Sequence, residues 1–145
     1  MMKLEPDAIE RILDEWPVAR LATLSAAGAP EVVPIVFARS GGALWSPIDG
    51  KPKRGGELAR VRNVRRDPRV SVLLDQWDTD WTRLWWLRLD GRAEVASLDG
   101  PGAAAAADAL RAKYPRYASG VTPLFAGEPT LLRIAIERSI SWKAG

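Results

Sequence analysis

Hydrophobic and polar residues alternate along much of this chain, which is typical of strands with one face in a core. Alternating or β-branched stretches occupy six segments, namely 18–24, 31–38, 43–46, 70–75, 83–96 and 131–143. Short turns rich in glycine, proline and serine separate several of them, so we expect mostly antiparallel pairing. Pro34 lies inside the second segment, and because proline has no amide proton that strand is predicted to bulge or to form a sheet edge.

Three other segments have helical character. The first contains Pro6 and ends before Pro17, with Ile9, Ile12, Leu13 and Trp16 on one stripe. The second places Leu58, Val61 and Val64 on one side, with Arg60 and Asn63 on the other, and ends at Asp67-Pro68. The third is the alanine-rich segment 101–113. Six strands with peripheral helices predict a mainly β, antiparallel barrel in a single domain spanning 1–145.

Composition agrees with a globular chain, because 47% of the 145 residues are hydrophobic and 27% are charged. The first residues are acidic and amphipathic, whereas a secretory signal is basic and then apolar. No apolar stretch is long enough to span a bilayer. We therefore expect a cytoplasmic protein without a membrane partner.

Cysteine and histidine are both absent from the sequence. This excludes disulfides, thiol nucleophiles, zinc sites built from these residues, haem held through histidine, and histidine-based catalytic triads. No metal site is predicted. Redox or group-transfer chemistry would therefore have to come from a bound cofactor.

Positive charge is concentrated between positions 51 and 69. That segment has eight basic and two acidic residues, a net +6, and because the whole chain is only +3 the remainder carries −3. Free amides at the start of the second helix would lie beside Lys51, Lys53 and Arg54 and favour a phosphate. Surplus arginines 65, 66 and 69 are expected to face solvent or to pair with Glu57 and Asp67. A solvated basic face and a nucleic-acid surface are the alternatives.

Tryptophans are also concentrated, with five of the seven between positions 45 and 86. Adjacent residues in a strand point to opposite faces, so Trp85 and Trp86 cannot both enter the core. The outward one is expected to face a partner subunit or a flat ligand.

Together these segments resemble a known family. The strings VARLATLSAAGAPEVVPIVFA, LWSPIDGKPKRGGELARVRNVRRDPRVSVLLD, DWTRLWWLRLDGRAEV and the terminal SISWKA are similar to the pyridoxamine 5'-phosphate oxidase-like flavoproteins, which are split β-barrels. Within that superfamily the chain looks most like the branch that binds the deazaflavin coenzyme F420. The resemblance covers most of the chain, from 18 to 95 and again at the last strand.

The resemblance implies a homodimer with a flavin-type cofactor in each of two interface clefts, and an F420-dependent oxidoreductase that moves a hydride to or from a small organic substrate. FMN as the cofactor, or cofactor binding without turnover, are the alternatives, and nucleic acid is not an expected partner. The implied contacts are Lys51, Lys53, Arg54, Arg60, Arg62 and Asn63 for the phosphate and tail, Pro34, Ile35 and Val36 through their backbone, Trp45 and Ser46 lining the cleft, and Trp86 with Arg88 from the partner. A catalytic acid would have to be solvent, Ser46, Asp49, Asp75 or the cofactor itself, and no side chain is assigned to this role.

Overall fold

The computed structural model describes residues 2–49 and 57–145. Its helices are α1 Pro6–Glu15, α2 Ala59–Arg66, α3 Ala103–Lys113 and α4 Pro115–Ala118, with a short 3-10 helix at Trp81–Arg83. Its strands are β1 Ala19–Leu24, β2 Pro30–Ile35, β3 Ala38–Ser40, β4 Ala43–Pro47, β5 Arg69–Gln76, β6 Trp85–Ser97 and β7 Thr130–Lys143. The predicted mainly β, antiparallel class with peripheral helices is confirmed.

The sheet has seven strands in the order β2-β1-β5-β6-β7-β4-β3, and hydrogen bonds do not close it. The predicted strand 31–38 is two strands, since it breaks at Val36 and Phe37. These two residues carry the chain from one edge of the sheet to the other. Because three extended Cα steps span at most about 10 Å, the sheet curls until its edges almost meet there. A curled sheet with an open seam is a split barrel.

Side chains from α3 and its neighbours fill this seam. The Tyr114 hydroxyl accepts a hydrogen bond from the Phe37 amide at 3.1 Å and lies 2.9 Å from the carbonyl oxygen of Pro17. The Lys113 Nζ lies 3.7 Å from the centre of the Phe37 ring, a cation–π distance. The seam is therefore packed with protein.

Two hydrophobic clusters hold the fold together. The first lies inside the curled sheet and includes Leu13 of α1 together with Val61 and Val64 of α2. The buried stripe predicted for the second helix is thus confirmed. The second cluster lies between α3 and the β3-β4 pair. Because β4 is buried along its whole length, both of its faces are covered by core.

The longest pairing joins β6 to β7 and shifts register between Asp90 and Gly91. At Gly91 the backbones approach so closely that a Cβ atom would lie 2.0 Å from the carbonyl oxygen of Ala135. Only glycine fits there without displacing the backbone.

Pro34 lies on β2, which is an edge strand of the sheet, and this is one of the two placements predicted for it.

Candidate functional site

Chemically distinctive residues collect at two ends of the β6-β7 ribbon. Asp49 follows the end of β4 that is level with Leu131 and Ala96, and α2 lies nearby with Arg65 beside residues 95–99. We call this the basic end. Trp85 and Trp86 begin β6 at the other extremity, which we call the tryptophan end. Ten residues of strand, about 33 Å when extended, separate Trp86 from Ala96.

Arg60 is the distinctive cation of the basic end. Its side chain is half-buried, and its buried Nε has no hydrogen-bond partner in the described part of the chain. Burial lowers the pKa of the Arg60 guanidinium from its ordinary value, and the nearby Asp49 carboxylate partly offsets this effect. A buried donor without a partner costs free energy, so an anionic acceptor at this position would recover hydrogen bonding.

Asp49 is almost fully buried and accepts a hydrogen bond from the hydroxyl of Tyr117. Burial, followed by the bond to this carboxylate, raises the pKa of Tyr117 from its ordinary value. Tyr117 belongs to α4, which lies between the alanine-rich helix α3 and the last strand β7. Its position beside Asp49 depends on how α3 and α4 fold back over the sheet, so no sequence signal singled it out.

The rest of the basic segment divides into surface and structural residues. Arg62 is exposed and donates to the backbone carbonyl of Glu57. The surplus-charge prediction is confirmed for two arginines, because Arg65 pairs with Glu57 at 3.4 Å and Arg69 pairs with Asp67 at 2.6 Å. Predicted contacts Lys51, Lys53 and Arg54 lie outside the described residues.

Asn63 was predicted on the polar side of its helix, and that placement is wrong. It is 4% exposed, and its side-chain amide donates to Thr23 Oγ1 at 3.0 Å and to Glu31 Oε1 at 2.6 Å. Both partners lie on the β1-β2 hairpin. Asn63 therefore fastens α2 to the hairpin and is not accessible as a ligand contact in this chain.

Trp45 and Ser46, which were expected to line the cleft, are both buried in this chain. They are 2% and 1% exposed, and Trp45 packs beneath α3 with its indole Nε1 donating to the Ser40 carbonyl at 3.0 Å. Both faces of β4 are covered by other parts of this chain, and the cleft-lining role of Trp45 and Ser46 stays a prediction. Pro34 is exposed, Ile35 is buried and Val36 is half-buried in the link between the sheet edges, so their backbone contacts stay a prediction.

At the tryptophan end, the expectation of opposite faces is confirmed. Trp85 packs on the first core cluster and meets Trp16 edge to face, with ring centres 4.9 Å apart. Trp86 is on the outer face, where the register places it between Asp75 of β5 and Trp142 of β7. Trp142 was missed because its closeness to Trp86 depends on strand pairing across more than 50 positions of sequence.

The same outer face carries an ionic cluster around Asp90. Its carboxylate accepts from Arg138 at 2.7 Å, from Ser71 at 2.8 Å and from Arg88 at 3.0 Å. The bond from Arg138, with those from Ser71 and Arg88, lowers the pKa of Asp90 to about 2. Arg88 does share a face with Trp86, as expected, but its guanidinium is already paired within the chain.

The sequence matches the family model of pyridoxamine 5'-phosphate oxidase over residues 5–143, so the chain belongs to that family. A conserved hypothetical protein of Mycobacterium tuberculosis, Rv2991, superposes with a TM-score of 0.76 at 24% identity, covering 97% of this chain and 85% of that one. The haem storage protein HutZ of Vibrio cholerae gives 0.73 at 21%, covering 99% and 96%. An FAD-binding protein of Mesorhizobium loti gives 0.70 at 23%, covering 97% and 93%.

At these identities the superpositions show a shared fold. A comparison with curated proteins finds no match. None of the described helices is long and apolar enough to cross a membrane.

Proposed function

We propose that this chain binds a flavin-type cofactor at the basic end and acts as an oxidoreductase on a small organic substrate. The observation that carries the proposal is Arg60, a half-buried guanidinium whose Nε has no partner among the described residues and which lies within the most basic segment of the chain, positions 51–69. A cofactor phosphate is the acceptor that such a donor set suits. Family membership and the FAD-binding relative support the same reading.

The residues present suit this cofactor better than haem. Two structurally similar proteins are described as haem storage or haem binding, but this chain has neither histidine nor cysteine to hold the iron. When bound, a flavin-type ring supplies hydride transfer. The protein would hold the phosphate through Arg60 together with Lys51, Lys53 and Arg54, and the hydrogen bond from Tyr117 would fix Asp49 beside Arg60.

The preferred cofactor in this proposal is F420, with FMN as the alternative. FMN carries one phosphate, which two or three basic residues satisfy, whereas F420 carries a phosphodiester followed by a tail of carboxylates. Eight basic residues between positions 51 and 69 exceed the need of one phosphate. We expect F420 to bind more tightly than FMN, and we expect the preference to shrink as salt screens exposed tail contacts.

The proposed site also requires a second copy of the chain. Trp86 and Arg60 lie toward opposite ends of the long ribbon, so a cofactor on Arg60 would meet the tryptophan end of a partner more readily than its own. Leu73, Trp86, Ile140 and Trp142 share the outer face of β5, β6 and β7 and provide apolar area for such contact. A homodimer is therefore part of the proposal, and sedimentation as a monomer at micromolar concentration would contradict it.

The decisive experiment is a titration of F420 and FMN followed by absorbance and fluorescence, with the wild type, Arg60→Ala and Lys51→Ala. Loss of a charge-assisted bond should weaken F420 binding by about 1.5–3 kcal/mol, with little change in melting temperature. Arg69→Ala is the matched control, because Arg69 is exposed and already paired with Asp67. Unchanged affinity in both variants would overturn the site, and equal affinity for FMN at low salt would overturn the F420 preference alone.

A further inference from the structure

A groove of about 370 Å³ at the tryptophan end is lined mostly by tryptophan side chains. It is formed by the end of β5, the 3-10 helix, the start of β6 and the end of β7. Its lining is dominated by indole rings and consists of Asp75, Gln76, Trp77, Trp81, Leu84, Trp85, Trp86 and Trp142. Five of eight lining residues are tryptophan, one is acidic and none is basic.

Two of these tryptophan side chains are mostly exposed to solvent. Trp77 is 67% exposed and Trp81 is 71% exposed, whereas large aromatic side chains normally bury most of their surface. The polypeptide nevertheless holds them in place. Asp80 caps the 3-10 helix by accepting from the Thr82 amide at 3.0 Å, and Gln76 donates to the Arg83 carbonyl at 2.9 Å. The exposed rings therefore belong to an ordered turn.

The charge of the groove indicates which class of ligand it suits. Residues 75–82 contain three aspartates and no basic residue. Asp78 is paired with Arg83 at 3.5 Å, and Asp80 is engaged in its cap. Asp75 is exposed, and no ion pair or side-chain hydrogen bond joins it to another described residue. The groove thus offers a free carboxylate beside tryptophan faces.

We propose that this groove binds a small organic cation of the quaternary or alkylated ammonium class. Tryptophan is the aromatic side chain that attracts cations most strongly over its ring face, and a neighbouring carboxylate adds attraction of the same sign. An anionic ligand would be repelled by Asp75. A neutral ligand would gain contact with the rings but no electrostatic attraction. One chain supplies the whole groove, although Trp86 and Trp142 also belong to the face proposed for contact with a second copy.

Choline and 3,3-dimethylbutan-1-ol test the inference, since they have nearly the same shape and differ by the positive charge. Both are titrated into cofactor-free protein while tryptophan fluorescence and heat are recorded. We expect choline to bind about tenfold more tightly than the alcohol. Asp75→Asn should remove most of that difference, and Trp81→Ala should weaken choline binding. Asp108→Asn is the matched control, because the Asp108 side chain is 83% exposed on α3, far from the groove in sequence.

Trp77→Ala provides a second aromatic variant should Trp81→Ala fail to fold, as judged by its melting curve. Equal affinity for choline and the alcohol would overturn the proposal, as would an unchanged preference in Asp75→Asn. If the protein is a dimer whose interface covers the groove, and choline does not bind to it, the proposal is also overturned. The occupant of the groove is then the second copy of the chain. The groove variants leave Arg60 and the basic segment unchanged, so the F420 titration of Arg60→Ala tests the cofactor site separately from choline binding.

Discussion

In most proteins charged side chains are exposed and large apolar side chains are buried. The basic end departs from the first part of this pattern, and the tryptophan end departs from the second. At the basic end the guanidinium of Arg60 is half-buried, and its Nε has no hydrogen-bond partner among the described residues, whereas at the tryptophan end the indoles of Trp77 and Trp81 are mostly exposed to water. The first arrangement costs stability in the isolated chain, and the second lacks the stabilisation that burial of the indoles would give. A buried polar group without a partner and an exposed aromatic cluster are informative because folding alone does not favour them, and binding would compensate for each.

The two ends also differ in how they are assembled. The charge of the basic end lies within nineteen consecutive positions and needs no tertiary structure to become concentrated. The tryptophan groove draws on β5, β6 and β7 and on the turn between the first two. Substitutions that disturb strand register should therefore affect the tryptophan end more than the basic end.

The largest expected effect comes from Gly91→Val, in the ribbon that holds the two ends apart. A Cβ at this position would collide with the Ala135 carbonyl, so β6 and β7 must separate or shift. We expect a loss of about 3 kcal/mol in the free energy of unfolding, measured by urea denaturation. Ala104→Val, at an exposed position of α3, controls for the bulkier side chain. A variant as stable as that control would contradict the close approach.

Trp85 and Trp86 provide the next test, because they are adjacent in sequence and opposite in environment. Trp85→Ala removes an indole packed on Trp16 and the core, and should cost about 3 kcal/mol of stability. Trp86→Ala should cost about 1 kcal/mol or less in the monomer, because its ring lies on the outer face. The measurement is thermal and denaturant unfolding at low protein concentration. Equal losses would show that both rings belong to the core.

Asn63 and Arg62 make the corresponding pair at the basic end. Asn63→Ala leaves Thr23 and Glu31 without their donor and should lower the free energy of unfolding by about 1–3 kcal/mol. Arg62→Ala should change it by less than about 0.5 kcal/mol, since the side chain is exposed. Chemical denaturation of both variants separates a fastening role from a surface role. Normal stability in Asn63→Ala would reject the fastening role.

The smallest expected effect is a pH dependence of stability that arises from Lys113, at the seam between the sheet edges. Like Arg60 it is a partly buried cation, but it lies away from the basic end. Burial lowers the pKa of Lys113 to about 8 from an ordinary value of 10.5. Both states carry the proton below pH 8, and between about pH 8 and 10.5 only the unfolded state does, so stability should rise with pH in this window. Solvent screening limits the gain to about 1 kcal/mol. Denaturation at a series of pH values should show this rise in the wild type and not in Lys113→Met.

Much of the architecture followed from local patterns, because alternation and helical periodicity report which side of an element is buried. The stripe of Val61 and Val64 and the opposite faces of Trp85 and Trp86 were predictable in this way, and the edge position of Pro34 was one of two placements predicted from its missing amide proton. The concentrated charge and the absence of histidine and cysteine needed only the sequence. These properties depend on neighbouring residues or on composition.

Other features were decided by tertiary structure. The break at Val36 and Phe37 exists because the sheet curls and the chain must pass between its edges, a long-range constraint that local alternation does not contain. Trp45 and Asn63 are buried because α3 and the β1-β2 hairpin cover them, although Trp45 was expected to line a cleft and Asn63 to contact a phosphate or tail. Trp142 joins Trp86 through strand register. Sequence alone thus determined which residues could serve a site, and packing between distant segments determined which of them remain accessible to a ligand.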